Sequence, residues 1–184
     1  SRHTPRTLAQ NTKDPEMTQT PFRSSVMTVK PEWIDFNGHL NMAYYHVIFE
    51  RGIDEALKMI GITPEYDTER RLGIFTAECH IHYRREVLLE TPVRITAQLL
   101  DYDGKRLHFY LEMRHATEGW LAAMEEILFL NVDLKKRRVT PFPDDILEQI
   151  AVMKAAHSAL PKPDILGQSV GIPPRAKSGK VGLH

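Results

Sequence analysis

One cysteine, Cys79, is all the thiol chemistry that the 184-residue chain carries, so no intrachain disulfide can form. With no secretory signal visible, a lone thiol fits a reducing compartment, and the cytoplasm is the expected location. Long hydrophobic runs are missing too. No stretch approaches the roughly 18–20 apolar residues that cross a bilayer as a helix, so no membrane partner is expected. Net charge is also lacking, because 24 Lys+Arg stand against 24 Asp+Glu. Polyanion binders carry a basic excess, which disfavours nucleic acid as the main partner. No Gly-x-Ser-x-Gly elbow occurs, which removes a serine hydrolase of the α/β type.

What is present falls into three parts. Residues 1–24 are rich in Thr, Arg, Pro and Gln, without apolar periodicity, and read as a flexible tail. Met17 is a candidate native start within it, which would make residues 1–16 a non-native expression remnant. Residues 25–142 carry the core domain. It opens with a predicted strand from Val26 to about Trp33, followed by a turn-rich segment. Tyr45, Ile48, Phe49, Ile53, Ala56, Leu57 and Ile60 then recur at helical spacing, which predicts one long buried helix over about 42–60 with Gly61 as its stop. Residues 74–86, 93–102, 106–116 and 120–133 read as strands, with Asp103-Gly104 and Glu118-Gly119 as turns. The last strand also holds helix-compatible residues over 121–128. The expected class is α+β: one antiparallel sheet and one long helix. Residues 143–184 add a C-terminal helix over 143–160 and a Pro- and Gly-rich extended arm.

Reactive side chains concentrate at Asp35, Asn37, His39 and Asn41, just ahead of the long helix. A carboxylate there lies beside the free N–H groups of a helical first turn. Those N–H groups can hold an oxygen that gains charge in acyl transfer. The carboxylate can attack an acyl carbon or activate water. The same residue types also serve simply to turn the chain and cap a helix.

The run Trp33-Ile34-Asp35-Phe36-Asn37-Gly38-His39-Leu40-Asn41-Met42-Ala43-Tyr44-Tyr45 resembles the signature of the 4-hydroxybenzoyl-CoA-type hotdog thioesterases. The order of elements after it is similar as well, over about residues 25–132. The segments 78–87, 105–108 and 156–173 resemble the betainyl-CoA thioesterases within that group. The resemblance implies a hotdog fold, in which the sheet wraps the long helix. It also implies a homo-oligomer, dimer or tetramer, with sites at subunit interfaces, an acyl-CoA substrate and no cofactor.

Carried over residue by residue, Asp35 becomes the nucleophile or general base, and the backbone near Asn41 and Met42 polarises the thioester carbonyl. His39, with Asn37 and Asn41, fixes the loop or touches substrate. Some hotdog enzymes instead place the catalytic carboxylate on the strand after the helix, which makes Glu78 the candidate there, either in place of Asp35 or acting with it across the dimer. A trimethylammonium acyl group calls for aromatic faces, and Trp33, Phe36, Tyr44, Tyr45, Phe49 and Phe75 are the candidates. Arg84, Arg85, Lys105 and Arg106 are candidates for the CoA phosphates.

No metal is expected, since Cys79 and His80 must point to opposite faces of a strand and, with Glu78 and His82, match no zinc spacing. A non-catalytic acyl-CoA sensor and a hotdog hydroxyacyl dehydratase are the competing readings.

Overall fold

The computed structural model describes residues 20–173. Seven strands form one antiparallel sheet: β1 (Phe22–Arg23), β2 (Met27–Thr28), β3 (Leu72–Tyr83), β4 (Pro92–Tyr102), β5 (Arg106–His115), β6 (Leu121–Asp133) and β7 (Arg138–Val139). Three α-helices accompany it: α1 (Met42–Met59), the short α2 (Pro64–Thr68) and α3 (Asp144–His157). The strand order is β1-β4-β5-β6-β3, with β2 beside β4 and β7 beside β6. The expected hotdog arrangement of one antiparallel sheet around one long helix is the observed one.

Helix α1 forms where its apolar stripe predicts it. Asn41 caps it, its Oδ1 accepting from the Ala43 N–H at 2.9 Å, and Gly61 ends it at φ 89°. The stripe Tyr45, Ile48, Phe49, Ile53, Ala56 and Leu57 is buried against the sheet. Each such side chain is worth roughly 1.5–3 kcal/mol of burial. Gly52 lets the helix approach β4 closely, since a Cβ there would collide with Ile95. Ile146, Ile150 and Met153 of α3 complete the same core.

Two departures from expectation concern the N-terminal segment. The tail expected over 1–24 ends sooner, because Phe22 pairs with Ala97 of β4 and is buried; residues 1–19 lie outside the described residues. The strand expected from Val26 to Trp33 shrinks to Met27–Thr28, followed by a 3-10 turn over Pro31–Trp33. Pro31 has no N–H for a ladder and sits well at the first position of such a turn. After α3, the arm crosses the sheet face opposite α1, where Ile165 packs with Tyr110 and Met124. Its last residues, 174–184, lie outside the described part.

Candidate active site

The segment 34–41 is a closed loop held by its own backbone. Ile34 bridges Leu40, the Asp35 N–H donates to the His39 carbonyl at 3.1 Å, and the Gly38 N–H donates to the Asp35 carbonyl at 3.0 Å. Gly38 takes φ 82°, which suits a residue without a Cβ. The Asp35 carboxylate turns inward on the loop, its Oδ1 accepting from the Asn37 N–H at 2.8 Å. Two further bonds anchor the loop to its surroundings: Leu40 N–H to the Val87 carbonyl at 2.7 Å and Asn41 N–H to the Trp33 carbonyl at 2.9 Å. The Asn41 N–H is therefore committed, and the Ala43 N–H is taken by the cap. The Met42 N–H has no partner among the described residues. Of the two backbone groups expected to face an acyl oxygen, it alone is free.

A cleft of about 360 Å³ opens beside this helix start, between the loop and the end of β3, and His39, Met42, Tyr45, Tyr83, Arg84 and Glu86 line it. Tyr45 and Tyr83 meet edge to face, with ring centroids 4.9 Å apart. Burial pushes the Tyr45 hydroxyl above its ordinary pKa, so it stays protonated and can donate. His39, Met42, Tyr45 and Arg84 are thus brought together.

The other expected site residues are dispersed. Trp33 is buried, with Tyr44 stacked at 6.0 Å and the cations of Lys30 and Arg51 over its ring at 5.3 and 5.2 Å. A ring so occupied offers little face to a ligand. Phe49 belongs to the core at 1% exposure, and Phe36 stands at the loop tip, 99% exposed. Neither closes a cage with Tyr45. Phe75 lines a separate cavity between α1, β3 and β6. Glu78 projects from the sheet face opposite α1, because it pairs with Leu128 and shares a hollow with His80, His108 and Glu126. The pleat thus turns Glu78 away from α1 within one chain. Arg106 lines that same hollow, its Nε donating to Asp103 Oδ2 at 2.7 Å. Arg85 lies over Trp120 at 4.1 Å while still reaching the cleft wall.

A carboxylate that sequence reasoning missed lies next to the cleft. Glu125 of β6 stands directly across from Ile81, on the face turned to α1. Its neighbours there are His46 of α1, with Nδ1 3.9 Å from Oε1, and Cys79 and Tyr83 of β3. Desolvation raises the Glu125 carboxyl to about 7. Burial, and then the Glu125 charge, push up the Cys79 thiol and the Tyr83 hydroxyl. His46, Cys79 and Glu125 hold their ligand atoms within 4.8 Å of one another, the one grouping with metal-ligating spacing among the described residues. The metal-free expectation concerned Cys79 with His80 and His82, and those two do point to the other face.

A model of the thioesterase-like superfamily matches residues 29–150. The chain belongs to the thioesterase-like superfamily. Its relatives include the betainyl-CoA thioesterase of Pseudomonas aeruginosa, 35% identical over 79% of this chain and 92% of that protein. An L-carnitine dehydrogenase/betainyl-CoA thioesterase of Rhizobium meliloti is 32% identical over 82% of this chain but only 30% of its own length. Among solved structures, a Staphylococcus aureus protein in complex with CoA superposes with TM-score 0.77 at 29% identity, covering 83% of this chain and 96% of the other. The enzyme class expected from the sequence, acyl-CoA thioesterase, is thereby the class of this thioesterase-like chain. A signal for Glu125 was present in the sequence. Two adjacent glutamates, Glu125 and Glu126, stand in the apolar run 121–130, and on a strand one of them must face inward.

Proposed function

We propose that the chain hydrolyses a short polar acyl-CoA thioester, betainyl-CoA above all, to the free acid and CoA. The substrate rests on the relatives' names and on the tail segments 156–173 that resemble theirs. The carrying observation is geometric: a carboxylate on a hydrogen-bonded loop, six residues before the Asn41 cap of a helix whose Met42 N–H is free. In this reading the thioester oxygen accepts from the Met42 N–H, which stabilises the negative charge that grows on it. Asp35 either takes a proton from an attacking water or itself attacks to form a mixed anhydride that water then cleaves. CoA leaves as a thiolate in both routes, so no acid is needed at sulfur. In this reading Arg84 and Arg85, which line the cleft, meet the CoA phosphates. Glu78 can join this chemistry only from a partner subunit.

The test is CoA release from betainyl-, acetyl-, 4-hydroxybenzoyl- and long-chain acyl-CoA, for wild type and Asp35→Asn. Turnover concentrated on betainyl-CoA, with kcat reduced about 10²–10⁴-fold in the variant, is the expected result. Undiminished turnover in Asp35→Asn would remove Asp35 from the mechanism. Turnover of another acyl group would keep the thioesterase and discard the betainyl reading. Oxygen-18 entering the Asp35 carboxylate during single turnover would select the covalent route.

A further inference from the structure

Beyond the helix start, along the groove between α1 and β3, lies a cavity of about 610 Å³ whose polar wall is mainly anionic. Glu50 and Asp54 of α1 and Glu125 of β6 face it, against Lys58 and His46. Exposed acidic side chains alone would mean little, since water screens them. Glu125 is different: at 3% exposure it is sealed into the wall. No arginine or lysine pairs with it among the described residues, and its nearest basic group is an imidazole that is cationic only when protonated. A buried carboxylate without a fixed cation is costly unless something positive arrives.

Position decides what arrives. Met42 and His46 are four residues apart on one face of α1, a rise of about 6 Å. A trimethylammonioacetyl group held at the cleft therefore has the anionic cavity one turn further along the α1–β3 groove. Tyr83, which borders the cleft with Tyr45, is also a neighbour of Glu125 on the same face, so a cation that passes this ring leaves the cleft and meets the Glu125 carboxylate. Aromatic faces and one carboxylate are the groups that recognise a quaternary ammonium, which has no N–H to donate and keeps its charge at every pH.

We infer that Glu125 is the counter-charge for a quaternary ammonium in the acyl part of the substrate, with Tyr45 and Tyr83 as the aromatic wall. This rests on the betainyl reading above for its substrate. Glu125 then acts as a specificity residue, separate from Asp35. The raised Glu125 carboxyl fits a site that waits for a cation.

The test compares betainyl-CoA with 3,3-dimethylbutanoyl-CoA, in which carbon replaces the charged nitrogen and the shape is kept. For Glu125→Gln, the ratio of kcat/KM for the charged over the neutral thioester should fall about 10-fold or more, as expected for losing one charge contact in a partly dry site. Glu125→Asp should recover part of the ratio. A purely structural role would lower both substrates in parallel, and an unchanged ratio overturns the inference.

A second measurement is independent of turnover. Tetramethylammonium is titrated onto wild type and Glu125→Gln and followed by NMR shifts. Saturable binding to wild type that weakens in the variant supports the site, even if betainyl-CoA itself is not hydrolysed. No binding to wild type overturns it. So does stoichiometric Zn²⁺ binding that Cys79→Ser abolishes while tetramethylammonium fails to bind, which would assign the cluster to a metal.

Discussion

At Glu125, burial and ionisation pull against each other, and the sign of the effect can be worked out. Its carboxyl is raised from 4.5 to about 7 by desolvation, facing His46 from α1 and Cys79 and Tyr83 from β3. Below about pH 4.5 the group is neutral in both folded and unfolded chains and costs nothing. As pH rises through about 7, the unfolded chain has already released its proton and the folded chain must follow at a penalty. Each tenfold in proton affinity is about 1.4 kcal/mol, so the penalty is on the order of 3–4 kcal/mol. Glu125→Gln should therefore match wild type in thermal stability at pH 4.5 and exceed it by several degrees at pH 8.5. A difference that does not vary with pH would mean that the carboxyl is not stranded. The residue scale is also where the sequence was least legible. The motif marks Asp35 and the cap at Asn41, because both act through local backbone geometry. Whether Trp33 shows its face to a ligand or to Lys30 and Arg51 is decided by residues across the loop and helix, and no local pattern carries that.

Elements were legible in proportion to the period they carry. Helix α1 spans five turns of apolar stripe, and β3 to β6 are 10 to 13 residues each, long enough for alternation to show. The two-residue strands β1 and β2 have no period to read, and only their pairing with β4 makes them strands. Within α1, one residue tests how tightly the helix is seated. Gly52→Ala should gain up to about 1 kcal/mol of helix propensity. The new Cβ, however, meets the Ile95 side chain at its Cβ and both Cγ atoms, which are backbone-near and cannot swing away. Overpacking of this kind costs about 1–3 kcal/mol, so the collision outweighs the propensity. Urea unfolding should show a lower midpoint for Gly52→Ala at unchanged slope. A higher midpoint would show that α1 can lift off β4 cheaply.

At the scale of the whole molecule, the decisive feature is an edge. The strand order leaves β3 paired on one side only, with β6, along 12 residues. Its other side presents unpaired backbone groups, and Phe75 and Tyr83 remain 43% and 45% exposed. A long edge without a proline or a covering helix invites pairing with another strand. Neither Lys nor Arg stands within β3 to discourage it. A second copy of β3, running antiparallel about a two-fold axis, would extend the sheet across two chains. It would also bring a partner's residues up to the cleft that Tyr83 borders, while Glu78 stays on the face away from both α1 helices. Light scattering on a sizing column should then report at least twice the 21.2 kDa chain mass. Ala77 lies at the bulge in the middle of β3, so Ala77→Asp would set a carboxylate near its own symmetry copy. That variant should shift the protein toward monomer and lose thioesterase activity in step. A monomeric variant with full activity would detach the active site from the interface, and a variant still dimeric would move the interface away from β3.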